Sequence, residues 1–235
     1  MILPVRTASI AKARKDSGTR KVPTQSAASL PKGERTRDHI LRTAVHLASV
    51  EGLEGLTIGR LADELKMSKS GLFAHFGSKE ELQLATIDMA RRIFADYVVT
   101  PALTQPAGMP RLWALCDNWL AHVEKKIFQG GCFFTAASFE FDSRPGPVRD
   151  EIVGAMRTWL EKLSRAVEGA QKAGHIKASV EPQHFAFEIY SLAIGAHWGF
   201  QLLGDKQALH NVRSTIMNRI RALATSSCPP VKNGF

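Results

Sequence analysis

The sequence has no run of about 18 or more apolar residues, so no transmembrane helix is expected. Its first residues, MILPVRTASIAKARKDSG, contain no long apolar stretch, which argues against a secretory signal. Cysteine is scarce: Cys116, Cys132 and Cys228 are odd in number and widely spaced. With no CxxC pair, neither a zinc site nor a disulfide framework is indicated, and no metal ligand set is expected. A reducing cytoplasmic setting fits that cysteine usage best. The nucleophile, metalloprotease, phosphate-loop and dinucleotide signatures GxSxG, HExxH, the P-loop and GxGxxG are also missing in any usable context, so no catalytic residue and no cofactor is expected. Glu140 and Asp142 are two apart, so on a helix they diverge and do not form an acid–base pair. Sustained period-two alternation and internal repeats are absent as well, leaving an all-α reading.

What is present is an unevenly placed positive charge. The formal net charge of +9 divides into +6 over residues 1–32, zero over 33–95 and +3 over 96–235. Residues 1–32 mix Ser, Thr, Ala, Lys, Arg and Pro without hydrophobic periodicity and read as a disordered basic arm. Such an arm is either a solvating tail or a segment that tracks phosphates or a groove beside a DNA-binding motif.

From Gly33 the pattern becomes helical. Ile40, Ala44, Leu47 and Ala48 share one face of a helix expected to stop at Glu51-Gly52, since glycine suits a helix C-terminus. Thr57 is placed to cap a second helix with the stripe Ile58, Leu61, Ala62 and Leu65. Lys66-Met67 is a very short turn. Ser68 then caps a third helix carrying Leu72 and Phe76 four residues apart. Ser78-Lys79-Glu80-Glu81 is a capping box opening a long fourth helix expected to run to about Tyr97. Pro101, Pro106, Gly108 and Pro110 mark the best domain boundary. Further helices are expected at about 111–128, 132–141, 148–173, 182–203 and 206–224, and the tail from 226 is expected to fray. The domains are therefore an arm (1–32), a helix-turn-helix unit (33–97), a helical domain (98–225) and a tail (226–235).

A helix of about eight residues, a tight turn and another short helix have the dimensions of a helix-turn-helix. Neither short helix is stable alone, so the first and fourth helices must hold them. Lys69, Ser70, Gly71, Phe73, Ala74 and His75 are left facing outward on the third. Most are small, which allows close approach to base edges in a major groove.

Residues 34 to about 93 resemble the DNA-binding domain of the TetR (tetracycline-repressor-like) regulators. The resemblance is carried by Ala48…Gly52, Thr57-Ile58…Leu61-Ala62, Met67-Ser68, Leu72-Phe73…His75-Phe76 and Lys79-Glu80…Leu82, in the family's order and spacing. It departs at Lys66, where relatives have a turn glycine, and at Phe73, where they have a tyrosine whose hydroxyl is lost here. A left-handed Lys66 is the expected consequence of the first departure.

The resemblance implies that Thr57 caps and donates to a phosphate. It places Ser68, Lys69, Ser70 and Gly71 nearest the bases, Phe73 against sugar or a thymine methyl, and His75 and Lys79 at phosphates. A solvated lysine at 79 and a structural histidine at 75 are the alternatives. Arg60 is divided equally between backbone contact and a solvated face.

The stretches GGCFFTAASFEFDSRPGPVRDEI and GAHWGFQLLGD resemble effector domains of one TetR subgroup. In that family this half binds a small molecule and forms a homodimer through its last two long helices. Ala186, Ile189, Leu192, Ala193, Ala196, Phe200, Leu209, Val212, Ile216, Ile220 and Leu223 are the corresponding dimer candidates, with burial inside one subunit as the alternative. A largely apolar effector pocket is expected. Its candidate residues are Trp113, Phe134, Trp159 and Trp198 with Asp117, His122, Glu140 and His197, although aromatics at helical spacing also serve as plain core. Cys132 is either a redox sensor or a buried inert thiol.

The expected partners are double-stranded DNA, a small-molecule effector and a second copy of the chain, with no membrane. The expected function is ligand-controlled transcription, in repressor form, at a near-palindromic operator. Nonspecific DNA compaction by the basic arm is the competing binding function.

Overall fold

The computed structural model describes residues 31–230. Residues 1–30 of the expected arm and 231–235 of the expected tail lie outside them. Among the described residues the regular structure is helical, with a single isolated bridge between Ile176 and Ala224.

The reading unit is built from α1 (Lys32–Glu51), α2 (Ile58–Leu65), α3 (Lys69–Phe73) and the start of α4 (Lys79–Phe94). Each of the last three opens on the cap expected from its sequence. Thr57 Oγ1 accepts from the Arg60 N–H at 3.0 Å, Ser68 Oγ from Gly71 at 3.1 Å, and Ser78 Oγ from Glu81 at 3.0 Å. Each cap satisfies a donor that a short helix would leave orphaned, a contribution of about 1 kcal/mol apiece. The Glu81 carboxylate accepts from the Gly77 N–H at 2.9 Å, one residue earlier than a standard capping box. Ile40, Ala44, Leu61, Leu72, Phe76 and Leu82 close the core between these helices, each essentially without solvent exposure. Five residues of α3 cannot hold a helix unaided, so Leu72 and Phe76 are what anchor it. Lys66 takes the left-handed conformation expected of it, with φ +55° and ψ +38°.

The fourth helix runs further than expected. Past Phe94 it widens into a π-helical turn, Ala95–Val99, and continues as α5 (Thr100–Leu103) through Pro101. A proline in regular α-helix loses a donor and clashes with the carbonyl four residues back. The wider π turn relieves that crowding, and Asn118 Nδ2 donates to the Val98 carbonyl at 3.1 Å. The break falls instead between Thr104 and Gly108, so one rod crosses the expected boundary at 97/98.

The second half comprises α6 (Met109–Glu124), α7 (Phe133–Glu140), α8 (Pro147–Lys172), α9 (Pro182–Gln201) and α10 (Gln207–Leu223). The long α8 lies centrally against α4, α6, α7 and α9, while α10 packs on α9 and α6. The chain after α10 is held where fraying was expected to begin. Thr225 N–H donates to the His175 carbonyl at 3.1 Å, and Cys228 N–H to the Thr225 carbonyl at 3.2 Å.

Candidate nucleic-acid interface and effector cavity

The outward face of the reading unit gathers the residues singled out for DNA contact. Ser68, Lys69, Ser70 and Phe73 are exposed, and Gly71, His75 and Lys79 are half-buried beside them. Thr57, exposed at the start of α2, uses its oxygen as an acceptor within the cap and keeps its O–H proton for an outside acceptor. The Lys69 side chain reaches back toward Gly59, so its ammonium lies by the amino end of α2, close to Thr57. Phe73 is about half exposed, an unusual placement for a phenyl ring unless something covers it. His75 rests beside Phe76, with ring centroids 6.2 Å apart.

Two cations of this unit are already engaged. Arg60 forms ion pairs with Glu51 at 2.6 Å and Glu64 at 3.0 Å, and those carboxylates push its pKa above the ordinary value. Lys79 Nζ donates to Glu54 Oε1 at 2.7 Å. That bond, helped by Gln83 and the nearby Arg144, holds the Glu54 carboxyl below the usual range. Lys79 therefore stands in a salt bridge rather than bare at the surface.

The same loop is where the two halves meet. Glu140, at the end of α7, accepts from the backbone N–H of Leu53 at 2.7 Å and of Glu54 at 2.9 Å. Glycine is needed at 52, where φ is +87° and a Cβ would lie 2.7 Å from Glu140 Oε1. Gly130 donates its N–H to Ser49 Oγ at 3.2 Å, and a Cβ there would lie 1.6 Å from the Ser49 carbonyl. Sequence separation hid this junction, because Leu53 and Glu140 are 87 residues apart.

A cavity of about 300 Å³ lies among α4, the π turn, α6, α7 and α8. Phe94, Trp119, Phe134, Met156 and Trp159 form apolar walls, and Cys132 and Thr135 also line it. Phe94 meets Trp159 edge-on at 5.0 Å between centroids, and Trp119 meets Trp159 at 5.2 Å. Of the eight residues proposed from sequence for the effector, Phe134 and Trp159 are here and the other six are elsewhere.

Each of those six has a visible placement. Asp117 bonds Arg213 of α10 at 2.6 Å, and Glu140 holds the loop just described. His197 Nε2 accepts from the Cys132 N–H at 3.0 Å. Trp113 is buried core against α10 residues, and Trp198 is 55% exposed. The weighed polar candidate His122 is buried between Phe94 and Phe128, with Nδ1 donating to the Trp119 carbonyl. Burial lowers both histidines to about 4, so each is neutral at pH 7. Periodicity could not separate a wall from a core position, which is why Phe94 and Trp119 escaped the sequence reading.

The proposed dimer residues divide in the same way. Ala186, Ile189, Ala193, Ala196, Leu209, Ile216 and Ile220 are buried within the one chain, where α9 packs on α8 and α10. Leu192, Phe200, Val212 and Leu223 are half-buried. The apolar residues that α9 leaves outside are Phe187, Trp198 and Leu202, with exposed Gly195 and half-buried Ile194 between them. Exposed Phe139 of α7 lies against the Ile194–Leu202 part of this stripe.

A capped helix-turn-helix joined to a separate helical body with an apolar cavity defines a DNA-binding regulator of the helix-turn-helix class. The model of bacterial regulatory proteins of the tetR family matches residues 40–86, and that of the tetracyclin repressor-like C-terminal domain matches 108–216. The chain belongs to the TetR family of transcriptional regulators. It is 34% identical over 89 residues to the HTH-type transcriptional regulator TcmR of Streptomyces glaucescens, a match covering 37% of this chain and 39% of TcmR. It shares its fold with a TetR transcriptional regulator from Chloroflexus aurantiacus J-10-FL, at TM-score 0.76 and 23% identity over 82% of this chain and 98% of that one. The fold also matches AibR, solved in complex with isovaleryl coenzyme A and operator DNA, at TM-score 0.62 and 22% identity over 76% of this chain and 96% of AibR.

Proposed function

We propose that this chain is a cytoplasmic, homodimeric repressor that binds a near-palindromic operator and is released by an effector held in the cavity beside Phe94 and Trp159. The observation that carries the reading is the double role of α4. Its first turn, capped by Ser78, buries Leu82 in the core that also holds Leu72 and Phe76, and its last turn supplies Arg91 and Phe94 to the cavity wall. A ligand that favours one position of α4 therefore changes the placement of α3. AibR, of the same fold, binds both an acyl coenzyme A and operator DNA, which supports a like arrangement here.

In this reading Ser68, Lys69, Ser70 and Gly71 approach base edges, Phe73 covers sugar or a thymine methyl, and Thr57 and His75 serve phosphates. Lys79 exchanges Glu54 for a phosphate when DNA arrives. The dimer forms through the stripe of Phe187, Trp198 and Leu202 on and just past α9, because seven of the eleven apolar positions first considered are already buried in the chain's own core. The unit carries no catalytic step.

Anisotropy titration of the purified chain against duplexes from its own promoter region tests this. The expected result is a site bound on the order of a thousandfold more tightly than scrambled duplex. Equal affinity for all duplexes would sink the specific-regulator reading.

A further inference from the structure

The cavity opens along one face of α8. Glu151, Ala155, Thr158 and Lys162 follow one another at helical spacing there. Three of these, Ala155, Thr158 and Lys162, line the cavity, as does Arg91 of α4. Arg91 is ion-paired across the opening with Glu151 and, at 3.8 Å, with Asp88. Lys162 is exposed and has no ion-pair partner among the described residues. Deeper in, Thr135 is 2% exposed, lines the cavity and has no hydrogen bond from its hydroxyl among the described residues. The site thus has a largely apolar interior with two unpartnered polar groups, the Thr135 hydroxyl and the buried Trp159 indole N–H, and a cation without an ion-pair partner at its mouth.

We propose that the cavity takes a compact apolar organic acid, with its ring or acyl body among Phe94, Trp119 and Trp159 and its anionic end between Lys162 and Arg91. This rests on the reading of the cavity as the effector site and adds the chemistry of the effector. An anion at that place competes with Glu151 for Arg91. Since Arg91 belongs to α4 and Glu151 to α8, the acid exchanges a contact between two helices for one between each helix and itself. That exchange is the differential affinity a ligand needs in order to shift α4. A neutral ligand of the same shape leaves the Arg91–Glu151 pair intact.

The test uses the full chain and two isosteric probes, 2-naphthoate and 2-naphthamide, in calorimetric titrations. Naphthoate is expected to bind at least roughly fivefold more tightly than the amide, the scale of one exposed ion pair. Lys162→Met should remove most of that preference, and Glu151→Gln should tighten naphthoate by freeing Arg91. Ala155→Trp, which fills the opening, should abolish binding of both probes. If it lowers the melting temperature severely, Met156→Trp replaces it. Equal binding of acid and amide, both lost in Ala155→Trp, overturns the acid inference while leaving the cavity reading intact. Both probes still bound in the filled variants would overturn the cavity reading itself. Absence of naphthoate binding at millimolar concentration also overturns the proposal.

Discussion

Lys66 pays no steric cost in a sequence but does in the fold, because its Cβ crowds the backbone at φ +55°. Lys66→Gly is expected to stabilise the chain by about 0.5–1 kcal/mol, read as a higher urea midpoint with unchanged slope. An unchanged or lower midpoint would show that the left-handed turn carries no strain. His122 and His197 act in the other direction. Their folded pKa values of about 4 lie below the unfolded value of 6.5, so the unfolded chain binds more protons between those limits. Stability from keeping them neutral is therefore full above about pH 6.5 and falls as pH drops toward 4, by roughly 3 kcal/mol for a buried histidine. His122→Leu should flatten the loss between pH 7 and pH 5 in urea titrations; an undiminished slope would assign it to other groups. The three caps were legible in the sequence because each depends on one residue and its immediate neighbours, and the left-handed lysine was legible only through the family resemblance. The ion pair of Lys79 with Glu54 was not, since it depends on a loop 25 residues away.

Most helix positions followed from apolar spacing to within a residue or two, but the helix expected at 111–128 ends at Glu124 and the π turn before Pro101 was not foreseen. A proline reads as a stop unless the preceding turn widens and a distant side chain, here Asn118, takes up a freed carbonyl. Spacing also fixed which face of α9 was apolar without saying that this helix has two such faces. The inner one, with Ala193 and Ala196, is consumed by the subunit's own core, while Trp198 and Leu202, 55% and 70% exposed, remain outside. Charged substitution on the outer face should separate subunits. Trp198→Glu with Leu202→Glu is expected to give monomers by sedimentation velocity with little change in helical content. A dimer that survives both changes would place the interface elsewhere. The cavity itself was half legible: Phe134 and Trp159 stood out as aromatics, whereas its other walls come from helices that also build the core.

Across the whole molecule, two of the links between the cavity-bearing half and the helix-turn-helix matter most for coupling. One is the continuous rod of α4, and the other is the Glu140 carboxylate, which holds the Leu53 and Glu54 amides. Removing that carboxylate leaves two part-buried donors without their acceptor, so Glu140→Ala should cost about 1–3 kcal/mol in thermal or urea unfolding. It should also weaken the response of DNA binding to the effector; an unaltered response would confine coupling to α4. The charge distribution gives a further whole-molecule constraint. Residues 33–95 are formally neutral, and in the proposed function discrimination comes from the small-residue surface around Ser68–His75 rather than from bulk attraction. Hydroxyl-radical footprinting on the chain's own promoter region tests that claim most directly. The account predicts two protected patches about one helical turn apart, both lost on Ser70→Glu at unchanged fold. Diffuse protection that persists in Ser70→Glu and vanishes only with added salt would contradict it.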